Sequence, residues 1–592
     1  MSSLKEKPKK KKGPKTIFFN VENTTYPSIK RCGLRLGWKT TESTTKNLLF
    51  WADNYVGVEF CLNLQPWQFV NHFPGTFTIS RKVELARNFE KMQKLFPKIY
   101  DFHPLSFCLP AQKLDMKHYM QTCPPKKRTF IVKPDLGAQG KGIFLVMDPD
   151  DIDDYTESAI AQRYISPCLL EGLKFDFRIY ALISSIDPLR VYIFNEGMTR
   201  FCTEPYVKPK PSNIKNVFSH LTNYSVNKKN EHFQQPDNAA NPDSGHKRSL
   251  SCVFHELELN GFDIQYAQSK IDQLIVLTIL CGQPSIAHCY RTSIKANDGK
   301  SRCFEILGFD VMLGKNLKPW LLEVNHSPSL LCESPFDKEL KDNLITGALK
   351  ILDLDPYFKK KVLAHEHQMT LQRMYGQASK QAGKVESLFD PEKESEIAKT
   401  TGWRQIFPIP ENPELQSMYD EVIQANKSLP IDGASETAAS QKRREAIQNQ
   451  LKEKDPSLNE ANIAPSASGS SINSGSANHS SLAQQKITVQ KKPSKVASAA
   501  KPGQPSIISK TPRSQLLLRE AKLQKLRSDS KREQGNRLQI DAAAISNINT
   551  DSETSQPPKQ QLPSLIHPRV QTKKSPAIVP KQIILDFDFN SK

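Results

Sequence analysis

Apolar and polar positions alternate most tellingly between Phe304 and Asn325. Two apolar, β-prone runs, Phe304–Leu313 and Lys318–Val324, flank the turn-forming Gly314-Lys315-Asn316, a spacing that predicts a β-hairpin. Successive side chains on a strand point to opposite faces, so Glu323 and Asn325, two apart, share one face. The antiparallel return can bring Asp310 beside them. Two carboxylates and an amide oxygen make a hard, all-oxygen cluster of the kind that Mg²⁺ accepts together with nucleotide oxygens. Strand-end polar residues facing water account for the same pattern, and a metal reading needs a neighbour that supplies phosphates.

Upstream, Thr16–Val21 reads as a short strand, and Leu48–Trp51 continues a pattern of strands between polar turns. Asn71–Lys82 is turn-rich. Leu85, Phe89, Met92 and Phe96 recur at helical spacing before Pro97, which predicts a helix there. Thr129–Lys133 and Ile143–Met147 read as strands on either side of the glycine-punctuated loop Pro134–Gly142. Glycines let backbone N–H groups approach a phosphate closely, and Lys133 and Lys141 at the loop's edges supply charge. The loop is no Walker motif, since GxxxxGK[ST] is absent. A plain glycine hairpin is the competing reading.

Ala161–Ile165 reads as a strand able to present backbone groups to an adenine ring. Next, Lys174, Asp176 and Arg178 alternate strictly with Phe175, Phe177 and Ile179, which gives one charged and one packed face. Arg178 is placed to offset charge on a transferred phosphoryl group; an exposed strand with cross-strand ion pairs is the alternative. A helix is expected around Asp263–Ile279 and an amphipathic one over Asp337–Leu352, which contains Lys341.

Composition changes the picture at the ends. The 592 residues carry 41 prolines, a hydrophobic content of 38%, a net charge of +20 and a pI near 9.3, with a mean hydropathy of -0.52. This suggests a folded part diluted by disorder, with a bias toward acidic partners. We expect a basic disordered arm at 1–15, an N-terminal α/β subdomain at 16–125 and a core at 126–355. A basic helical region at 356–460, with the aromatic patch Thr401–Pro410, and a mostly disordered tail at 461–592 complete the chain. Within that tail, Ser514–Leu538 could form a transient basic helix. Eleven cysteines without CxxC spacing argue for reduced thiols rather than zinc or disulfides. The lysine-rich start has no apolar signal region, and the longest apolar run, Leu274–Leu280, is too short to span a bilayer. We expect a soluble intracellular protein. No nucleic-acid motif accompanies the charge.

Taken in order, KPDLGAQGKGIF, QRYI, KFDFRIY, EGMTRF, HLTNYSVNK, FEILGFD and PWLLEVNHSPS resemble the tubulin tyrosine ligase-like family, and its polyglutamylase branch most closely. The likeness runs from about residue 16 to 355 and more loosely to about 425. It implies an α/β ATP-grasp fold with ATP held between two sheets. Carried over residue by residue, it puts Lys133, Gln139, Gly140, Gln162, Arg163, Tyr164, Ile165, Lys174, Asp176, Thr222 and Asn223 around ATP. It gives Mg²⁺ to Asp310, Glu323 and Asn325, sets Arg178 and Glu323 as catalytic, and assigns free glutamate to Arg200, Tyr224, Ser225, Lys247 and Lys341. Leu136-Gly137-Ala138-Gln139 stands where relatives carry Ser-Gly-Cys-Gln, and Arg163 where Gln also occurs.

The resemblance implies a monomeric ligase that needs no nucleic acid or membrane. It would phosphorylate the γ-carboxylate of a glutamate in an acidic tubulin tail and join free glutamate to it. The basic helices after Lys359 would dock on the microtubule, and cytoplasm, cytoskeleton, cilium and basal body are the expected locations. A tubulin glycylase, a tyrosine ligase, a glutamylase for another acidic protein and an inactive microtubule-binding adaptor are the alternatives. Arg200, Lys247 and Lys341 favour glutamate over glycine, which has no side-chain carboxylate.

Overall fold

The computed structural model describes residues 16–235, 245–296, 298–375, 386–429 and 449. The expected arm at 1–15, the tail at 461–592 and the Ser514–Leu538 helix lie outside the described residues.

The first sheet is parallel, with order β2-β1-β3-β4: β1 (Phe18–Asn23), β2 (Lys39–Thr40), β3 (Leu49–Ala52) and β4 (Phe69–Val70). Parallel neighbours need crossovers, and the helix Pro27–Arg35 supplies one, with Pro27 at its first turn where no N–H is missed. Arg31 and Arg35 of that helix bridge to Asp342 on the helix Pro335–Ile351, tying this layer to the core.

The second sheet is antiparallel, with order β5-β8-β6-β7: β5 (Ser106–Leu109), β6 (Phe130–Pro134), β7 (Phe144–Val146) and β8 (Ala159–Arg163). Its start differs from the expected boundary at 125. β5 pairs with β8, and Met116 and Met120 of the helix Lys113–Thr122 pack with Phe130, Val132 and Ala161. The short 3₁₀ turn Pro125–Lys127, where the expected boundary falls, lies between elements of this one layer.

The main sheet comprises β9 (Leu169–Leu170), β10 (Leu173–Ile186), β11 (Leu189–Phe194), β12 (Met198–Phe201), β13 (Lys247–Ser249), β14 (Glu305–Leu313), β15 (Pro319–Asn325) and β16 (Trp403–Phe407). The 14-residue β10 organises it. One edge pairs with β12 and then β11; the other pairs with β14, which pairs with β15 as the expected hairpin. Phe175, Phe177 and Ile179 face a core completed by Ile271, Leu274 and Ile275 of the helix Ile264–Ser293. The small sheet and the charged face of β10 meet across a cleft. This is the ATP-grasp arrangement expected from the sequence.

Two expectations change. The helix expected to end near Ile279 runs on through Pro284 to Ser293. A Cβ on Gly282 would come within 2.3 Å of Ile79, so this glycine is a packing contact. Burial of Ile286, Ala287 and Tyr290 holds the last turns despite the proline. Thr401–Pro410, expected within a separate basic helical region, holds a strand of the main sheet. β16 pairs with β11, and Tyr419, Val422 and Ala425 of the following helix Pro413–Lys427 enter the core. Among the described residues, no helix is long and apolar enough to cross a membrane.

Candidate functional site

Five strands carry the site's charges in line across one face of the main sheet. Lys247 on β13 is the register partner of Arg200 on β12, and Arg200 is the partner of Asp176 on β10. Two residues along, Arg178 partners Asp310 on β14, and Asp310 partners Glu323 on β15. Pairing places such partners within hydrogen-bonding reach. Arg200 grips Asp176 with bonds of 2.9 and 2.5 Å and reaches Asp310 at 2.8 Å. Arg178 donates to both Asp310 oxygens, at 2.5 and 3.1 Å. Burial alone would raise the Asp310 carboxyl, but Arg178 and Arg200 hold it well below the usual carboxylate range.

The cleft between the two sheets is open to solvent, with about 610 Å³ of space between its walls. Lys133, Gln162, Arg163, Tyr164, Ile165, Lys174, Asp176, Thr222 and Asn223 line it, and Ile131, Ile143, Met312 and Leu322 give it apolar walls. An apolar slot with convergent cations suits a flat, phosphate-bearing ligand. Lys133 Nζ donates to Gln162 Oε1 at 2.9 Å and to the Leu322 carbonyl at 3.2 Å. Burial lowers its pKa to about 8, with Glu323 opposing. Lys174 donates to the His220 carbonyl at 2.7 Å and to the Tyr164 hydroxyl at 3.1 Å, and burial lowers its pKa too.

The glycine loop Pro134–Gly142 joins β6 to β7. Gln139 and Gly140 both have positive φ, 61° and 74°. A Cβ on Gly140 would lie 2.8 Å from Val226 and 3.2 Å from Asn223, so only glycine lets the loop settle here. Gly140 therefore shapes the loop and lines neither cavity. Ser225 Oγ donates to the Gln139 carbonyl at 2.8 Å, and Lys82 Nζ donates to the Gly137 carbonyl at 2.9 Å.

A second cavity of about 1320 Å³ opens from the first, sharing Arg200, Asn223 and Glu323 with it. Gln139, Arg178, Asn325, Tyr224, Ser225, Lys247 and Lys341 also line it. All the residues expected around free glutamate thus lie on one cavity. Gln139, expected at the nucleotide, lines this one instead.

Asp310, Glu323 and Asn325 fit a hard divalent cation in donor chemistry, being two carboxylates and an amide. Asn325 donates its amide nitrogen to the Gly308 carbonyl at 3.3 Å and keeps its oxygen as an acceptor. Glu323 is half-buried, with Lys82 Nζ 3.7 Å away. Among the described residues no group of three His, Cys, Asp or Glu side chains converges as a metal cage.

Three residues that contact the candidate site were not read from the sequence. Lys82 reaches both the glycine loop and Glu323 from the start of the helix Lys82–Leu95. Asp337 holds Lys247 and Lys341, and its place four residues before Lys341 was the available signal. His103 contacts Gln162 from behind the cleft, and no local pattern marks it.

A family model described as the tubulin-tyrosine ligase family matches residues 62–362. The chain is similar to the mouse protein called tubulin polyglutamylase TTLL6, 39% identical over 429 residues, covering 71% of this chain and 50% of that one. It is similar to a Tetrahymena thermophila protein called probable beta-tubulin polyglutamylase, 38% identical over 416 residues, covering 67% and 34%. The human protein called tubulin polyglutamylase TTLL7 is 39% identical over 385 residues, covering 64% and 43%. The chain spans about a third to a half of the length of these relatives.

Proposed function

The chain belongs to the tubulin-tyrosine ligase family, and from that premise we propose that it is an ATP- and Mg²⁺-dependent ligase adding glutamate to glutamates in acidic tubulin tails. The observation that carries this reading is the meeting of two cavities at Arg200, Asn223 and Glu323. One is lined for a nucleotide, and the other gathers Arg178, Arg200, Lys247 and Lys341. Asp310, Asp176 and Asp337 offset three of these four cations, and the donors that Lys247 and Lys341 keep beside Asp337 favour a substrate with a second carboxylate.

In the proposed reaction the tail's γ-carboxylate takes the terminal phosphoryl group of ATP, and the amine of free glutamate then displaces phosphate to form the amide. Mg²⁺ at Asp310, Glu323 and Asn325 would supply charge neutralisation between the phosphates. Lys133 and Lys174 bind and orient the phosphate chain from the cleft floor. The apolar walls at Ile131, Ile143, Met312 and Leu322 seat the base and exclude water. Arg178, fixed by Asp310, faces the second cavity where negative charge develops on the transferred group, and its preset orientation lowers the cost of stabilising that charge.

The net charge of +20 favours long-range capture of an acidic tail, and capture should weaken with salt. The basic helix Phe358–Tyr375 is a candidate microtubule contact. Cytoplasmic microtubules, including those of cilia and basal bodies, are the proposed setting.

The test is ATP-dependent incorporation of labelled glutamate into purified microtubules, with glycine and tyrosine in parallel and Glu323→Gln beside the wild type. We expect glutamate uptake alone, lost in the variant. Uptake of glycine or tyrosine would change the assigned amino acid. Microtubule binding with no uptake of any of the three would leave an adaptor in place of the enzyme.

A further inference from the structure

Two lysines converge on the second cavity although each carries a charge that repels the other. Lys247 comes from β13 and Lys341 from the helix Pro335–Ile351, and both are buried. Between them lies Asp337, itself 1% exposed. Lys247 Nζ donates to both Asp337 oxygens at 2.6 Å, and Lys341 Nζ stands 3.2 Å from Oδ1.

Asp337 is in turn fixed from below. It occupies the third position of its helix, its backbone N–H donates to the Ser334 capping hydroxyl at 3.1 Å, and that hydroxyl lies 3.3 Å from Oδ2. The helix N-terminus favours a carboxylate at this position. Burial would push the Asp337 carboxyl up, but Lys247 and Lys341 hold it below its ordinary range. Burial also lowers Lys247, with Asp337 opposing that loss of charge. Lys341 spends one further hydrogen on the Leu331 carbonyl. An ammonium has three hydrogens, so each lysine keeps donor capacity for an incoming carboxylate.

Two positive charges and one negative leave the trio with a net charge of +1, enough to match one carboxylate. We propose that Asp337 is a positioning residue for the amino-acid substrate, holding Lys247 and Lys341 as a charged pair that receives one of its carboxylates. Asp337 touches neither ATP nor the reacting atoms in this reading; it acts through the lysines. The inference rests on the assignment of this cavity to free glutamate.

Its test is calorimetric titration of L-glutamate, and separately of ATP, into the full chain and its Asp337→Asn and Asp337→Glu variants. KM for each substrate is measured alongside. Losing a buried charge-assisted contact corresponds to roughly a ten- to hundredfold change in affinity. We expect glutamate Kd and KM to rise by about that factor in Asp337→Asn, with ATP affinity within about twofold of wild type. Asp337→Glu, which keeps the charge beside the lysines, should recover part of the loss. A general folding defect would weaken ATP binding in step and give no recovery in Asp337→Glu, which would overturn the positioning role. Unchanged glutamate binding in both variants would overturn the inference while leaving the glutamate site standing. Absence of glutamate binding in the wild type would overturn both.

Discussion

Arg178 and Asp310 are register partners on neighbouring strands of the main sheet, joined by hydrogen bonds of 2.5 and 3.1 Å. Glu323, the next partner across the sheet, is half-buried and has only a 3.7 Å approach from Lys82 as its ion pair among the described residues. Two carboxylates assigned to one metal set therefore stand in different electrostatic settings.

Substitution should separate those settings. Asp310→Asn leaves Arg178, and part of Arg200, as buried charge without a counter-ion, which costs about 3–5 kcal/mol. Glu323→Gln removes a loosely paired group and should shift stability by less than about 1 kcal/mol. Both variants should lose ligase activity. Urea denaturation midpoints check the contrast, and equal destabilisation of the two would contradict it.

Lys133 makes a pH prediction whose sign can be worked out. Its folded pKa is lowered to about 8 from an ordinary 10.5, chiefly by burial. Between those values the unfolded chain still holds a proton that the folded one has released, so stability rises with pH across that window and is lowest below it. Lys133→Met abolishes the buried ammonium. Relative to it, the wild type should gain on the order of 3 kcal/mol between pH 8 and 10.5. The variant should also lose ATP binding, because the residue that weakens the fold near neutrality is the one proposed to meet the phosphates. Denaturation of both proteins at pH 7 and 10 measures the difference, and parallel profiles would count against it.

The hairpin was legible because period-two alternation fixes which residues share a face: Asp310, Glu323 and Asn325 follow from local sequence. The same holds for Lys174, Asp176 and Arg178 on β10. Local pattern says nothing about which distant strand lies alongside, so the pairing of Lys247 with Arg200 was visible only as family likeness until the register was known. The helix expected around Asp263–Ile279 runs further because local pattern does not report distant packing such as Ile79 against Gly282. Asp337 and His103 escaped notice because each acts on another site residue.

Trp403 shows the consequence of the same limit at the C-terminal side. It is 1% exposed, and its indole N–H donates to the Leu344 carbonyl at 3.3 Å. Trp403→Ala should cost about 3–5 kcal/mol through the cavity left behind. A chain ending at residue 400 would also bare the β11 edge that β16 covers, from Val191 to Phe194. We expect that fragment to aggregate on expression, where a separable helical appendage would leave it soluble. Sedimentation of the fragment beside one ending at residue 429 distinguishes the two.

His103 provides the last prediction, through a chain of three hydrogen-bonding groups. Lys133 is a donor only, so the Gln162 oxygen must face it, and the Gln162 amide nitrogen is then left 3.1 Å from His103 Nε2. A donor on Gln162 makes Nε2 the acceptor and puts the imidazole proton on Nδ1. Protonating His103 would set two donors against each other beside the Lys133 charge. Burial, with Lys133 adding to it, accordingly lowers the His103 pKa to about 3 from an ordinary 6.5. Between those values the unfolded chain takes up a proton that the folded one refuses, so this contribution to stability is full above pH 6.5 and is lost as pH falls toward 3. His103→Asn should flatten the acid limb by a few kcal/mol and raise the KM for ATP by loosening Gln162 and, through it, Lys133. Nitrogen-15 NMR of the imidazole reports the tautomer directly. A proton found on Nε2 would remove the argument that His103 orients Gln162.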